Sequence, residues 1–343
     1  MGRTTQLHVG VVGVGRIGAF HAGTLGALDG VARLTVADAD AARSAALAAT
    51  LDAGTAATPE ALVESVDALV IATPTPSHAP LLRLAADAGI PAFCEKPVAL
   101  DVATLDGVIA DVERAGILVQ IGFQRRFDTG YRAAHDAVTT GAVGKVLVLR
   151  AATHDPSPPA EEYIAESGGI FRDLHIHDFD ALRFVTGQEI VEVYADGAVL
   201  ETPWFERHAD VDTAAAVLRL DGGALAILSG TRHDPLGYDV RLEVFGSANS
   251  IVVGVDDRSP LSSVERGSRP VAGSYRNFLD RFEHAYRAEL EAFVDAVGSD
   301  GASPCSLQEA RAALAVAHAA DRSRRERRPI SIEEVASAEA LAG

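Results

Sequence analysis

The stretch GGIFRDLHIHDFD, from Gly168 to Asp180, gathers three aspartates and two histidines behind a glycine pair. A carboxylate beside an imidazole can orient a hydroxyl group and take its proton, because imidazole titrates near neutral pH. If residues 171–184 form one helix, Asp173, His177 and Asp180 stand at i, i+4 and i+7 and project within about 60° of one another. That face offers a hydroxyl-orienting carboxylate, a general base and a second carboxylate able to hold the imidazole. His175 points the other way and reads as structural. No metal site is expected, since a redox cofactor supplies sufficient chemistry and the N-terminal glycines point to one.

Those glycines form the run Gly13-Val14-Gly15-Arg16-Ile17-Gly18, which closes an apolar strand and opens a helix, with Asp38 following at the end of a second strand. The first glycine permits a tight turn, the second lets backbone approach a pyrophosphate, and the third lets helix and strand pack closely. Asp38 can accept hydrogen bonds from a ribose diol and repels a 2′-phosphate, so NAD is favoured over NADP. Arg43 reads as a solvated helix charge. Glu95-Lys96-Pro97 ends another strand, the side of an open α/β sheet on which ligands bind. A lysine there can donate to a substrate oxygen and stabilise alkoxide character. In ATPTPSH, Thr73 and Pro74 are placed to line the nicotinamide ribose and His78 to open the next helix. The candidate cofactor contacts are thus Gly13, Gly15, Arg16, Ile17, Gly18, Asp38, Thr73, Pro74, His78, Glu95 and Lys96.

Positioning such residues takes an α/β framework. Apolar runs at LHVGVVGVG, ARLTVAD, ALVIAT, PAFCEK and ILVQIGF alternate with helical periodicities, including Leu105, Val108, Ile109 and Val112 on one face. Thr58 and Pro59 form a helix start. Strands joined by crossover helices predict an N-terminal Rossmann domain, a doubly wound parallel sheet over residues 1–122. From residue 123 to 343 the pattern changes to strands with Gly-rich turns, among them an Asp221-Gly222-Gly223 hairpin, and then long helices over residues 275–297 and 306–322, the second opened by a Ser306-to-Glu309 capping box. This predicts a C-terminal α+β domain built on a large, mostly antiparallel open sheet, with loop over 256–274.

The chain's 343 residues, 48% hydrophobic and 23% charged, fit a globular protein of two domains. A net charge of −18 opposes binding to nucleic acid or an anionic membrane. Cys94 and Cys305 have neither disulfide-framework nor metal-ligand spacing. No run reaches the roughly 20 apolar residues of a spanning helix, and the N-terminus does not read as a signal peptide. A cytoplasmic protein is expected.

In order and spacing, GVGRIG, VADAD, ATPTPSH, CEKP, GFQRRFD and GGIFRDLHIHDFD resemble the Gfo/Idh/MocA oxidoreductases, and the last two are most similar to the inositol 2-dehydrogenase branch. The resemblance implies NAD-dependent oxidation of a secondary ring hydroxyl of a cyclitol or sugar, with Lys96, Asp173 and His177 around the reacting group. It implies that Arg125 lies near the substrate pocket, with Arg125 or Arg126 alternatively pairing with Asp128, and that the second sheet builds dimers or tetramers. The loop THDPSPPAEEY, with His154 and Asp155, departs from familiar inositol dehydrogenases and is expected to shape the pocket. The alternatives are an NAD(P)-linked dehydrogenase or reductase of another sugar or anhydrosugar, and a silent NAD-binding sensor.

Overall fold

The computed structural model describes residues 6–265, 273–299 and 301–340. The chain divides into two compact units, Met1–Gln124 with Tyr286–Arg311 and Arg125–Ala285 with Ala312–Gly343. The first carries strands β1 (Leu7–Val12), β2 (Val31–Ala37), β3 (Gly54–Thr55), β4 (Ala68–Ile71), β5 (Ala92–Glu95) and β6 (Val119–Gly122) in the order β3-β2-β1-β4-β5-β6. All of their pairings are parallel, and β4, β5 and β6 are buried at every position and β1 at all but His8, which is why they are mostly apolar. Helices α1 (Arg16–Leu25), α2 (Ala41–Leu51), α3 (Pro59–Val63), α4 (His78–Ala88) and α5 (Val102–Ala115) make the crossovers. Thr58 caps α3 by accepting from the Ala61 N–H, and Gly116 ends α5 in the left-handed region. The strand order reverses between β1 and β4, the switch point outside whose carboxyl ends such sheets bind ligands.

The second unit holds β7 (Val146–His154), β8 (Ile190–Ala198), β9 (Thr213–Leu220), β10 (Leu225–Thr231), β11 (Asp239–Gly246), β12 (Ser250–Val253) and β13 (Ile330–Ser331), ordered β12-β11-β7-β10-β9-β8-β13. Only β7 and β10 run parallel. The Asp221-Gly222-Gly223 turn joins β9 to β10 as expected, with Gly223 at φ +86°. Side chains alternate along β9 and β10, burying Ala214, Ala216, Leu218, Ala226 and Leu228 on one face. Helices α6 (Thr129–Thr139), α7 (Glu161–Ser167), α8 (Ile170–Asp173), α9 (Ile176–Thr186) and α10 (Trp204–Arg207) intervene in the chain, and α13 (Ile332–Ala340) packs beside β8 and β13.

Two helices divide between the units. α11 (Phe278–Gly298) leaves helical angles at Phe282, and from Tyr286 onward it belongs to the first unit, where Leu290, Phe293 and Val294 join the core around β1 and β2. α12 (Leu307–Glu326) belongs to the first unit as far as Arg311 and to the second from Ala312. Residues 286–311 therefore depart from the expected 123–343 boundary, because helical periodicity marks an apolar face without saying which core will take it. Of the loop expected over 256–274, residues 266–272 lie outside the described residues.

Candidate active site

In the first unit the glycine loop has the geometry its spacing predicts. Gly13 sits at φ +84°, and a Cβ there would lie 2.7 Å from the Thr73 amide nitrogen. A Cβ on Gly18 would meet the Gly13 carbonyl oxygen at 1.8 Å, whereas one on Gly15 would find nothing within 4 Å. Two of the glycines thus let helix and strands close together, and the third leaves open space above the loop. The start of α1 has no side-chain cap, which leaves its first amides for a bound anion. Asp38 ties the loop to β2: Oδ2 accepts from the Val14 N–H at 2.7 Å and Oδ1 from the Asp40 N–H at 2.8 Å. Arg43 lies 3.6 Å from Asp38 and is over half exposed. Thr73 Oγ1, at the end of β4, is buried with no hydrogen-bond partner. This cradle, with an acidic residue at the ribose position and an unsatisfied hydroxyl beside it, fits NAD.

Lys96 follows directly on β5, is half-buried, and precedes Pro97 across a cis peptide. His78 is buried with Nδ1 2.8 Å from the Pro97 carbonyl oxygen and Nε2 2.7 Å from that of Thr73. It braces the two segments that carry Lys96 and Thr73. Both bonds exist together only in the imidazolium, and because burial lowers the His78 pKa the neutral ring donates to one carbonyl at a time. Glu95 is buried beneath Lys96 and lies 2.6 Å from His21 Nε2. Behind it Glu289 is 0% exposed, with neither carboxyl oxygen hydrogen-bonded. Burial, then the Glu95 charge, push the Glu289 pKa well above the ordinary carboxylate value. Of the two residues expected to touch the cofactor beside Lys96, His78 has both ring nitrogens against backbone carbonyls and Glu95 has Oε1 against the His21 ring.

In the second unit the segment that was expected to be one helix is two. Gly168 and Gly169, at φ +80° and +91°, precede the short α8, and the His175 N–H reaches back to the Ile170 carbonyl, one residue further than an α-helix allows. The wider turn breaks the i, i+4, i+7 row. Asp173 is buried in a different network: Oδ1 accepts from the Tyr163 hydroxyl at 2.8 Å and Oδ2 from Arg232 Nη2 at 2.7 Å. His177 stands half-buried in the first turn of α9. Asp180, expected to hold that imidazole, is 0% exposed and receives a bidentate Arg126 guanidinium at 2.7 to 3.1 Å. His175 is structural, as its direction implied, with Nδ1 2.8 Å from Asp178 Oδ2.

Arg125, expected near substrate, is 1% exposed; it pairs with Asp178, donates to Thr153 Oγ1 at 3.0 Å and lies over the Tyr131 and Phe282 rings. Its guanidinium is a buried charge held by these partners. Asp128 pairs with neither adjacent arginine, capping α6 and accepting from Arg281 instead. His154 lies 3.4 Å from Asp239, and Asp155 accepts from Arg232 Nη1 at 2.8 Å.

Residues 7–123 match the family model described as the oxidoreductase family with an NAD-binding Rossmann fold, and residues 131–252 match the GFO/IDH/MocA C-terminal domain. The chain belongs to the Gfo/Idh/MocA oxidoreductases. It is 37% identical to a myo-inositol 2-dehydrogenase of Thermotoga maritima over 96% of this chain and 99% of that protein. Among solved structures, a probable dehydrogenase from Thermotoga maritima superposes with a TM-score of 0.91 at 36% identity, covering 96% of this chain and all of that one. The scyllo-inositol dehydrogenase from Lactobacillus casei, solved with NAD(H) and scyllo-inositol, superposes with a TM-score of 0.88 at 26% identity, over 96% and 99% of the two chains.

Several residues that organise this Gfo/Idh/MocA oxidoreductase escaped sequence reasoning. Asp178 lies within the quoted motif but reads as one acid among three, while its partners Arg125 and Thr153 are 53 and 25 residues away. Arg232 is 59 residues from Asp173, and Glu289 sits in a helix assigned by periodicity to the other domain. A charged residue on an otherwise apolar helix face was the one available signal for Glu289.

Proposed function

We propose that this chain oxidises a secondary ring hydroxyl of a cyclitol, inositol foremost, with NAD as cofactor. The similarity to inositol dehydrogenases over nearly the full length of both chains carries this reading, and the Gly13 to Gly18 cradle supports it. NAD, when bound, supplies the hydride acceptor. His177 takes the hydroxyl proton, Lys96 donates to the oxygen that loses it, and Asp173 orients the substrate by accepting a hydroxyl hydrogen bond. Asp173 suits that part because Arg232 and Tyr163 hold both of its oxygens in place. His154 and Asp155, half-buried at the end of β7, shape the substrate side. The test is a cofactor-reduction screen of inositols, aldoses and anhydrosugars against NAD+ and NADP+. An inositol with NAD+ should be the best pair, and Asp38→Ala should narrow the cofactor preference. Equal use of both cofactors by the parent enzyme rejects the part given to Asp38.

His177→Ala should reduce turnover by roughly 10²-fold or more, with NADH affinity nearly intact by fluorescence titration. Parental turnover in that variant would remove His177 from the reaction.

The second sheet also proposes a partner. One face sets the exposed Tyr194 on β8, Val217 on β9 and Ile227 on β10 side by side, with the exposed Leu225 two residues along β10. A contiguous apolar patch of this kind marks an interface, and we take it to join copies of the chain as dimers or tetramers. Light scattering that returned the mass of one chain would refute it. Among the described residues no helix is long and apolar enough to cross a membrane. Both cysteines are free and buried, which suits a reducing cytoplasm.

A further inference from the structure

A buried chain of polar groups runs behind Asp173: Tyr163 Oη to Asp173 Oδ1 at 2.8 Å, Asp173 Oδ2 to Arg232 Nη2 at 2.7 Å, and Arg232 Nη1 to Asp155 Oδ2 at 2.8 Å. Arg232 is 4% exposed and Asp173 is 7% exposed, whereas Tyr163 is 49% exposed. The charges of Asp173 and Asp155 keep the guanidinium protonated despite its burial. The Asp173 charge, reinforced by burial, pushes the Tyr163 phenol pKa up and so keeps it a donor. Arg232 is held in turn at the backbone, its N–H donating to the Asp212 carbonyl at 2.7 Å. The position of Tyr163 is also preset, since Glu161 in the same short helix accepts a bidentate Arg207 at 2.9 and 2.7 Å. Both Asp173 oxygens are thus held by donors on fixed neighbours. Of the two side chains that hold Asp173, Tyr163 is the one with exposed surface, whereas Arg232 is buried.

We propose that Arg232 and Tyr163 are the positioning residues of Asp173, and that the Tyr163 ring determines which cyclitol epimer is accepted. This rests on the reading of Asp173 as the acceptor of a substrate hydroxyl. A cyclohexane polyol presents carbon-bound hydrogens to an aromatic face wherever its hydroxyls are equatorial. An axial hydroxyl on that face puts a polar group against the ring, so epimers differ in how they seat. The hydroxyl of Tyr163 holds Asp173 in register with that seat.

The test compares parent, Tyr163→Phe, Tyr163→Ala, Arg232→Lys and Arg232→Gln on myo-inositol and scyllo-inositol, or on the best screened substrate and its epimer, with NADH titration and thermal melts alongside. Tyr163→Phe keeps the ring and loses the tether, and should lower kcat/KM about tenfold, the loss of one hydrogen bond to a charged group, mostly through KM. Tyr163→Ala should in addition change the ratio of kcat/KM between epimers at least about threefold, a fraction of the energy of one aromatic contact. Arg232→Gln should cost more than Tyr163→Phe, and Arg232→Lys should recover part of it by restoring the charge with a single donor. NADH affinity and the melting temperature of the Tyr163 variants should match the parent. An unchanged epimer ratio in Tyr163→Ala overturns the specificity role, and parental kcat/KM in both Tyr163→Phe and Arg232→Gln overturns the positioning role. Asp173→Asn separates these outcomes from failure of the underlying reading. Parental turnover in that variant refutes Asp173 as the acceptor, whereas its inactivity beside an unchanged epimer ratio refutes only the proposal made here.

Discussion

Lys96→Met should lower turnover by about 10²- to 10³-fold, the range for removing one electrostatic donor aimed at developing charge. The contact between an ammonium and the substrate oxygen strengthens as that oxygen gains alkoxide character, so its loss falls on the chemical step. Methionine keeps the stem and removes the donor. The supports of the position stay intact, since His78 holds the Pro97 carbonyl and Glu95 remains against His21. NADH affinity should therefore change little. Lys96→Arg preserves the charge but not the compact ammonium and should rescue poorly. Steady-state turnover with NADH titration decides the matter. Full turnover by Lys96→Met on the best substrate would make the lysine an ordinary surface residue and would revive the silent binder as a reading.

The second large effect is on the fold. Asp178 is 1% exposed and accepts from Arg125, from Thr153 and from His175. Asp178→Ala leaves the buried Arg125 guanidinium with no counter-charge, a loss of about 3–5 kcal/mol. The melting temperature should fall by on the order of 10 °C. A melt within a degree or two of the parent would show that Arg125 is served without it. The same pair carries a pH dependence. Burial alone would raise the Asp178 pKa, but Arg125 and then His175 hold it well below the usual carboxylate range. A folded-state pKa below the unfolded value near 3.9 means the contribution is fully present above about pH 4–5 and drains away as pH falls further. In acid titrations followed by circular dichroism, Asp178→Ala should lack that part of the parental loss of stability.

Much of the first unit was legible because its signals are local. A glycine that must adopt a positive φ or admit a close approach leaves a mark at its own position, as Gly13 and Gly18 do. The mostly apolar runs of β1, β4 and β5 follow from burial at nearly every position, and the alternation in β9 and β10 from burial on one face. Asp38 was placed by a spacing that the crossover geometry dictates.

The motif at residues 168–180 shows where local reading stops. Its residue types announced a site, and the family resemblance pointed to Asp173 and His177. The even helix drawn through them was wrong, because a helix continues only while its backbone and buried side chains agree. Here Asp173, Asp178 and Asp180 each answer to a different distant partner, and the turn at Leu174 and His175 widens to let them.

By itself, then, the sequence determined the parallel Rossmann sheet, the phosphate cradle and the family, since each depends on periodicity or on spacings within one crossover. Tertiary structure alone decided which distant partner each of the motif's charges meets. Arg125 with Asp178, Arg126 with Asp180 and Arg232 with Asp173 are separated by 53, 54 and 59 residues. A buried charge is tolerated only beside its counter-charge, and which counter-charge arrives is settled when the sheets and helices close around it.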